Sequence, residues 1–459
     1  MRRTLPLAAG AIAVVALALA ARVAHGPGLL GYDALWALRW GAEIAGGEVP
    51  AFEAAVAPTP HPLANLVSVA LSGLGPDTAT RCLLALSWLS LGALAVGLAR
   101  LGAALFSWPV GLLAGALVLT RSQLVGETAQ ALVDLPFLAL ALFAADREVR
   151  HPRAGATVPV LLVLGGLLRP EGWALEGAYL VYRWRDLDRR GRAGLAALLA
   201  CAPVLWAAMD LWATGDLLHS LHGTQALGEL LERPSGTAGA LGLAPAALRD
   251  IVQTPLLWVA LAGAAAGLLW RERASALPGA VMILGLAGFV VLGVAGLPVL
   301  GRYLLLPAAM LVLFAAVAVL GWSAMAGADR ARRRWLVGGV VAAAIVLAGV
   351  PGDARRLEDI RDFGARRHAV QDDLRAAVRA VADRKCARVV APDSRALAVV
   401  QAQLGPLGGD DRRGELAFAY ADPSVADGYS LGRAGPSTLG RAATVVHAGR
   451  FWRAGVTGC

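Results

Sequence analysis

The chain has 459 residues, of which 57% are hydrophobic and 16% are charged. An average soluble domain has about 25% charged residues, so the composition excludes an ordinary soluble protein and indicates one that lies mostly in lipid. The formal net charge is +9, and almost all of the positive charge is arginine. Arginine in the loops of a membrane protein is explained by topology and by anionic lipid headgroups, so we do not expect nucleic-acid binding.

Eleven apolar runs recur along the chain, and several approach the ~20 residues that a membrane crossing needs. They lie at about 4–24, 82–99, 104–120, 130–145, 156–168, 172–184, 194–212, 255–270, 276–296, 302–322 and 336–350. We interpret the first as a retained helix rather than a cleaved signal, because no further charge break follows before Asp33. The thirteen-residue segment 62–74 is too short to cross and suits an interfacial or re-entrant helix. The pattern predicts an all-α polytopic membrane protein with about eleven transmembrane helices.

Arginines define the expected orientation. Most of them fall in loops on one side, which should be cytoplasmic together with the N-terminus. The opposite, exported side would then hold 25–80, 121–130, 169–171, 213–254 and everything after 350. We therefore expect a multi-pass protein of the cell membrane.

The first exported loop holds two candidate site residues. Asp33 begins an amphipathic segment in which Trp36 and Trp40 share one face, typical of an interfacial helix. Asp33 suits either a helix cap or a catalytic acid/base, and this segment alone does not separate the two roles. His61 lies between prolines, which stiffen the chain and would aim the imidazole.

A polar stripe interrupts the segment 121–145. Gln123, Glu127, Gln130 and Asp134 follow one another at offsets of four, three and four residues, which predicts one face of a continuous helix. Carboxylates within a membrane are costly, so Glu127 and Asp134 are expected to face a protein interior or a wet cavity with a function.

Two arginines stand at span ends on the exported side. Arg169 is followed by Pro170 and Glu171, and Arg302 is followed by Tyr303. A guanidinium at this depth suits a phosphate through its fork of donors, although snorkelling toward headgroups is the alternative. The long loop 213–254 suits a perimembrane helix that contacts an acceptor or carrier.

After Val350 the composition becomes typical of a soluble domain. Residues 355–384 predict a charged amphipathic helix, 387–392 a strand, SRALAVVQAQLG a helix, and ELAFAY and ATVVHAG further strands. We therefore divide the chain into a transmembrane domain at 1–350 and a small extracytoplasmic α/β domain at 351–459. Cys386 and Cys459 both lie in this second domain, where an oxidising compartment would let them pair. No metal-ligand spacing such as CxxC is present, so the sequence does not support a divalent metal or another cofactor.

The order of these motifs resembles the GT-C fold glycosyltransferases. The resemblance covers residues 4–350 and rests on Asp33 after the first span, the His61-Pro segment, Glu127 with Asp134 and Pro136, the Arg169-Pro-Glu171 turn, and Arg302-Tyr303 with Pro307. Within that fold the chain is similar to the glycosyltransferase family 39 group, which includes protein O-mannosyltransferases and the lipid A aminoarabinose transferase. It departs from many relatives at Ala34 and Leu135, where a second acid is common.

The resemblance implies an enzyme of the cell envelope that uses a polyprenyl phosphate sugar donor. It implies Asp33 as catalytic acid/base, with Arg169, Arg302 and Tyr303 near the lipid phosphate and His61, Glu127, Asp134 and Glu171 in support. The expected reaction is an inverting hexosyl or pentosyl transfer to a glycan, lipid or protein acceptor. The alternatives are a transporter with a Glu127/Asp134 relay and a non-catalytic protein of the same fold.

Overall fold

The computed structural model describes residues 7–54, 57–325, 330–384, 386–404, 414–426, 429, 439–440 and 443–459. Its helices are α1 (Leu7–His25), α2 (Tyr32–Ala45), α3 (Pro62–Ser72), α4 (Pro76–Leu105), α5 (Trp108–Leu119), α6 (Ser122–Ala129), α7 (Asp134–Arg150), α8 (Thr157–Gly166), α9 (Gly172–Arg183), α10 (Arg189–Leu199), α11 (Cys201–Thr214), α12 (His219–Leu230), α13 (Gly236–Val252), α14 (Thr254–Trp270), α15 (Glu272–Val294), α16 (Leu305–Leu320), α17 (Arg330–Val381) and α18 (Ser394–Leu404). Its strands are β1 (Arg388–Val390), β2 (Glu415–Tyr420), β3 (Thr444–Ala448) and β4 (Trp452–Thr457).

Helices occupy all eleven apolar runs, but not all of them are long enough to cross a membrane alone. Among the described residues, α1, α4, α15, α16 with its preceding turn, and α17 qualify by length and composition. The pairs α5–α6, α10–α11 and α13–α14 qualify only together and are bent by 59°, 41° and 101°. The helices α7, α8 and α9 have 17, 10 and 12 residues. The described part of the chain thus contains five such spans, or up to eight with the bent pairs, rather than eleven full-length ones.

Helix α16 forms the centre of the membrane part. Nearly all of its side chains are buried, and it packs against α5, α14, α15 and α17. Gly263 of α14 meets the backbone of Phe314 in α16, where a Cβ atom would overlap the Phe314 carbonyl. The absence of a side chain therefore lets these two apolar helices approach closely.

The polar stripe from Gln123 to Asp134 does not lie on one continuous helix, so that prediction was wrong. Helix α6 ends at Ala129, Ala131 has a left-handed φ of 55°, and α7 begins at Asp134. The freed carbonyls of Ala129 and Gln130 accept hydrogen bonds from the backbone N–H groups of Leu29 and Gly31, both at 2.7 Å. The break thus exchanges helical hydrogen bonds for bonds that hold the loop in front of α2.

Helix α17 links the membrane part to the C-terminal sheet. Its 52 residues would extend about 78 Å at 1.5 Å per residue, far more than the ~30 Å of a bilayer core. Its last turns bury Val370, Leu374, Val378 and Val381 in the same core as strands β2 and β4. The residue 350 boundary expected from the sequence therefore falls within an unbroken helix.

The C-terminal sheet has the strand order β1-β2-β4-β3. Strands β1 and β2 are parallel and joined through α18, whereas β2–β4 and β3–β4 are antiparallel. Asp373 of α17 accepts hydrogen bonds from the backbone N–H groups of Phe451 and Trp452, at 2.7 and 3.0 Å, and fixes the start of β4. The sequence pattern indicated β1, α18, β2 and β3 and did not indicate β4.

A disulfide joins Cys386 to Cys459, with 5.3 Å between their Cα atoms and a sequence separation of 73. It connects the residue before β1 to the end of the chain after β4. Closing a loop of this length stabilises the folded domain by about 4 kcal/mol in the chain-entropy model.

We expect two of the four cysteines to react with an alkylating agent when the protein is denatured without reductant. Cys82 and Cys201 are free thiols, whereas an oxidised Cys386–Cys459 pair cannot react. Mass spectrometry should find two labels before reduction and four after it. Four labels on the unreduced protein would contradict the pairing.

Candidate functional site

Asp33 lies in the first turn of α2, and its carboxylate faces an arginine that is 269 positions away in the sequence. The N-cap position of α2 is Gly31, and no side chain caps this helix end. Asp33 Oδ2 instead accepts a hydrogen bond from Arg302 Nη1 at 3.0 Å. Asp33 therefore does not cap the helix in this structure.

Charge keeps Asp33 ionised. Burial alone raises the pKa of Asp33, but Arg302 and, further away, Arg233 outweigh it and hold the pKa below its usual value. The N-terminal end of a helix dipole also favours a negative group. At neutral pH Asp33 is therefore a carboxylate that can accept a proton.

Arg302 and Tyr303 lie in a 3-10 turn, Gly301–Leu304, directly before α16. Because α16 is buried on all sides, this turn has little freedom to move. Arg302 Nε is buried and has no hydrogen-bond partner among the described residues. Arg302 therefore pairs with Asp33 through one nitrogen and keeps a second donor for a ligand.

Arg169 is buried in the turn between α8 and α9, with 4% of its surface exposed. Its Nη1 lies 2.9 Å from Asp134 Oδ1, and its Nε and Nη2 donate to the two carboxylate oxygens of Glu171. The guanidinium carbon lies 4.5 Å from the ring centroid of Tyr303. Every nitrogen of Arg169 thus has an acidic partner, in contrast to Arg302.

Several of these residues line one narrow cleft. Asp134, Arg169, Glu171, Arg302 and Tyr303 form its polar end. Its remaining walls are mostly apolar side chains of α7, α9, α15 and α16, with Gly285 and Gly288 opening the α15 face. A charged end that continues into an apolar wall matches an amphiphilic ligand with an anionic head.

Glu127 approaches the same group of charges from α6. It is 7% exposed, accepts a hydrogen bond from Gln123 Nε2 at 2.5 Å, and has no partner for Oε2 among the described residues. Asp134 Oδ2 is likewise buried without a partner there. A buried carboxyl oxygen without a hydrogen bond is costly, so two such atoms in one group of polar side chains indicate a site for a donor group.

His61 precedes α3 and is nearly buried against Trp206, with 5.7 Å between the ring centroids. Burial, and after it the nearby charge of Arg169, lower its pKa to about 4, although Asp33 and Asp134 act in the opposite direction. His61 is therefore a neutral imidazole at neutral pH. The charges of Asp33, Asp134, Arg169 and Arg302 all act on it, so it lies among the site residues predicted from the sequence.

The sequence analysis missed two cations near Asp33. Arg233 lies between α12 and α13, and its pKa responds to the nearby Tyr303, Arg302 and Asp33. Arg395 begins α18 in the C-terminal domain and is influenced by Asp33 and Tyr32. No local pattern marks either residue, because each comes to Asp33 from more than 190 positions away.

The histidines of the long loop do not join the site. His222 Nδ1 lies 2.6 Å from Asp216 Oδ2 on an exposed surface, and His219 stacks on Phe52. Among the described residues, no group of three or more histidine, cysteine or acidic side chains has an arrangement that could hold a metal ion.

We expect His61→Asn to reduce the loss of stability on acidification. The unfolded chain protonates this histidine near pH 6.5, whereas the folded protein does so only near pH 4. His61 contributes its full stabilisation above pH 6.5. Its contribution to the free energy of unfolding falls as pH decreases toward 4, by about 2 kcal/mol at pH 5. The decrease in melting temperature between pH 7.5 and pH 5 should be smaller in His61→Asn than in the parent. Equal decreases in the two proteins would contradict it.

No family model and no curated protein matches this chain. Among solved structures, the crystal structure of ArnT from Cupriavidus metallidurans bound to undecaprenyl phosphate is similar to it, with a TM-score of 0.55 and 13% sequence identity over 98% of each chain. The chain therefore has the GT-C fold, as the order of its sequence motifs predicts.

Proposed function

We propose that this chain is a membrane glycosyltransferase that moves a sugar from a polyprenyl phosphate carrier to an acceptor. The observation that carries the proposal is the Asp33–Arg302 pair, in which Arg302 also lines a cleft with apolar walls. A carboxylate suited to accept a proton and a guanidinium suited to bind a phosphate are thus side by side. The fold shared with ArnT, whose structure holds undecaprenyl phosphate, supports the same class of carrier.

The proposed reaction is a single displacement. Asp33 takes the proton of an acceptor hydroxyl, the acceptor oxygen bonds to the anomeric carbon, and the bond between that carbon and the phosphate oxygen breaks. Attack opposite the leaving group inverts the anomeric centre, for a hexosyl or a pentosyl donor. The acceptor is a glycan, a lipid or a protein.

The phosphate would bind first to Arg302. Its Nε has a free hydrogen-bonding position among the described residues, whereas Arg169 already donates to Asp134 and Glu171. Arg169 then serves chiefly to hold Tyr303 and the acids in place, with 4.5 Å between its guanidinium carbon and the Tyr303 ring. The lipid chain would lie along the apolar walls from α7, α9, α15 and α16.

We expect Asp33→Asn to lose transfer while it keeps donor binding. Asparagine preserves the size of the side chain and removes the proton acceptor, so the rate should fall by about 10²–10⁴-fold. The measurement is sugar transfer from a radiolabelled polyprenyl phosphate donor in membranes, beside a binding assay with the unglycosylated polyprenyl phosphate. Asp77→Asn, at an exposed position in the first turn of α4, is the matched control and should remain active.

Arg302→Ala separates the two roles of the pair, because it should weaken donor binding as well as transfer. Full activity in Asp33→Asn would remove the proposed base. A relay in a transporter would instead lose ion-coupled flux in Glu127→Gln or Asp134→Asn and retain it in Asp33→Asn. No transfer by the parent across a broad panel of donors and acceptors would favour a non-catalytic protein.

We also propose that the site and the C-terminal domain, residues 351–459, lie outside the cytoplasm and that residues 1–350 form the transmembrane domain. The arginine asymmetry supports this topology. So does the meeting of Asp33, His61, Arg169 and Arg302 in one cluster, since all four were assigned to the same side from sequence.

We expect a reporter that is active only outside the cytoplasm to work when fused after Cys459. The reason is the cytoplasmic placement expected for the arginine-rich loops, with the cluster of Asp33, His61, Arg169 and Arg302 assigned to the opposite side. A second fusion within the arginine-rich segment 183–192 should give the opposite result. Activity of a strictly cytoplasmic reporter at Cys459 would overturn the topology.

A further inference from the structure

Helix α18 of the C-terminal domain lies along α2, the helix that carries Asp33. Ala398 of α18 belongs to the same buried apolar cluster as Tyr32, Trp36 and Trp40 of α2. Arg39 Nη1 donates to Gln401 Oε1 at 2.6 Å. Because Asp33 and Tyr32 act on Arg395 while Arg39 bonds to Gln401, the helices run in the same direction.

This register brings Arg395 to the level of Asp33. Asp33 lies six residues before Arg39, and Arg395 lies six residues before Gln401. Equal steps along two parallel helices give equal rises. The electrostatic contacts agree with this placement, since burial lowers the pKa of Arg395 while Tyr429, Asp33 and Tyr32 raise it.

Arg395 is buried without the partners that a structural arginine has. It is 8% exposed, and its Nε and Nη1 have no hydrogen-bond partner among the described residues. Its guanidinium carbon lies 5.9 Å from the ring centroid of Tyr429, whose buried hydroxyl also has no partner there. Arg121, by comparison, donates to the carbonyls of Leu117 and Val252 and pairs with Asp353. A buried cation without hydrogen-bond partners lowers the stability of the folded protein unless a ligand supplies those partners.

We propose that Arg395, with the Tyr429 hydroxyl, forms an anion-binding subsite beside Asp33 that takes a phosphate or carboxylate group of a substrate. This inference rests on the proposed function for the identity of that substrate. The pKa of Arg395 responds to the nearby Asp33 and Tyr32, whereas Arg169 pairs with Asp134 and Glu171 and lies against Tyr303 on the cleft side. The C-terminal domain thereby supplies a substrate-binding residue rather than a remote accessory surface.

The first test measures anion binding without activity. For this titration the parent chain carries Arg302→Ala, which removes the phosphate site proposed at Arg302. Inorganic phosphate should still raise its melting temperature, and adding Arg395→Gln should raise the phosphate needed for the same rise about 10- to 100-fold, as the loss of a charge-assisted hydrogen bond implies. Arg453→Gln, an exposed arginine on β4 of the same domain, is the matched control and should respond like the parent. Identical phosphate responses in Arg395→Gln and the parent would overturn the proposal.

A second variant separates ligand binding from a structural role. Arg395→Met removes a buried charge whose Nε and Nη1 have no hydrogen-bond partner within the described part of the chain, so without phosphate its melting temperature should equal or exceed that of the parent. A structural arginine would give a marked decrease instead, and that result would count against the subsite. Arg395→Lys keeps the charge without the fork of donors and should recover part of the phosphate response.

Transfer kinetics then identify which substrate carries the anion. A KM that rises about 10- to 100-fold for the acceptor, with an unchanged KM for the polyprenyl phosphate sugar, assigns the group to the acceptor. A rise confined to the donor assigns it to the donor. Kinetics of Arg395→Gln equal to those of Arg453→Gln would refute the subsite in an active enzyme. Absence of transfer in the parent would refute the proposed function, while the phosphate titration would still decide whether Arg395 binds an anion.

Discussion

The ion pair between Asp33 and Arg302 is the contact around which the candidate site is built. The two residues are 269 positions apart, and each is fixed by its surroundings. Asp33 follows a loop bound to the backbone of residues 129–130, and Arg302 precedes the most deeply buried helix. Both side chains are about one-fifth exposed, so the pair adds on the order of 1 kcal/mol or less to stability. The pair matters mainly for the site, because it holds an ionised carboxylate beside a guanidinium whose Nε has no hydrogen-bond partner among the described residues.

The break between α6 and α7 follows from the same requirement. A continuous helix through residues 130–133 would satisfy its own carbonyls and leave the N–H groups of Leu29 and Gly31 without these partners. Gly28, with a φ of +82°, packs against the Ala129 carbonyl so closely that any Cβ would overlap it. The helix end, the glycine and the extended loop are therefore one unit, and that unit sets the position of Asp33.

Local sequence patterns predicted the features of the fold that are determined by residues close together in the sequence. Hydropathy located the apolar helices, and the order of short motifs indicated the GT-C fold. The left-handed Ala131 was not predictable, because the helical spacing of Gln123 to Asp134 is intact and only a tertiary contact breaks it. The role of Arg395 was equally hidden, since its partner helix α2 lies more than 350 residues earlier. Strand β4 was not predicted although Trp452, Ala454 and Val456 alternate with Arg453 and Gly455, because the strand has only six residues and its alanine and glycine are poor strand formers. The chemical roles assigned to the site residues remain proposals that transfer assays decide.

Helix α17 makes the C-terminal domain part of the same rigid arrangement. Arg121, at the start of α6, pairs with Asp353 of α17, and Arg367 Nη1 of α17 donates to Gln130 Oε1 at 3.2 Å. Two contacts about fourteen residues apart on one helix restrict both its tilt and its rotation relative to α6. Further along, Trp452 Nε1 donates to the Val370 carbonyl at 2.9 Å and attaches the sheet to that helix. The segment that positions Asp33 through its backbone thus also positions, through α17 and the sheet, the helix that carries Arg395.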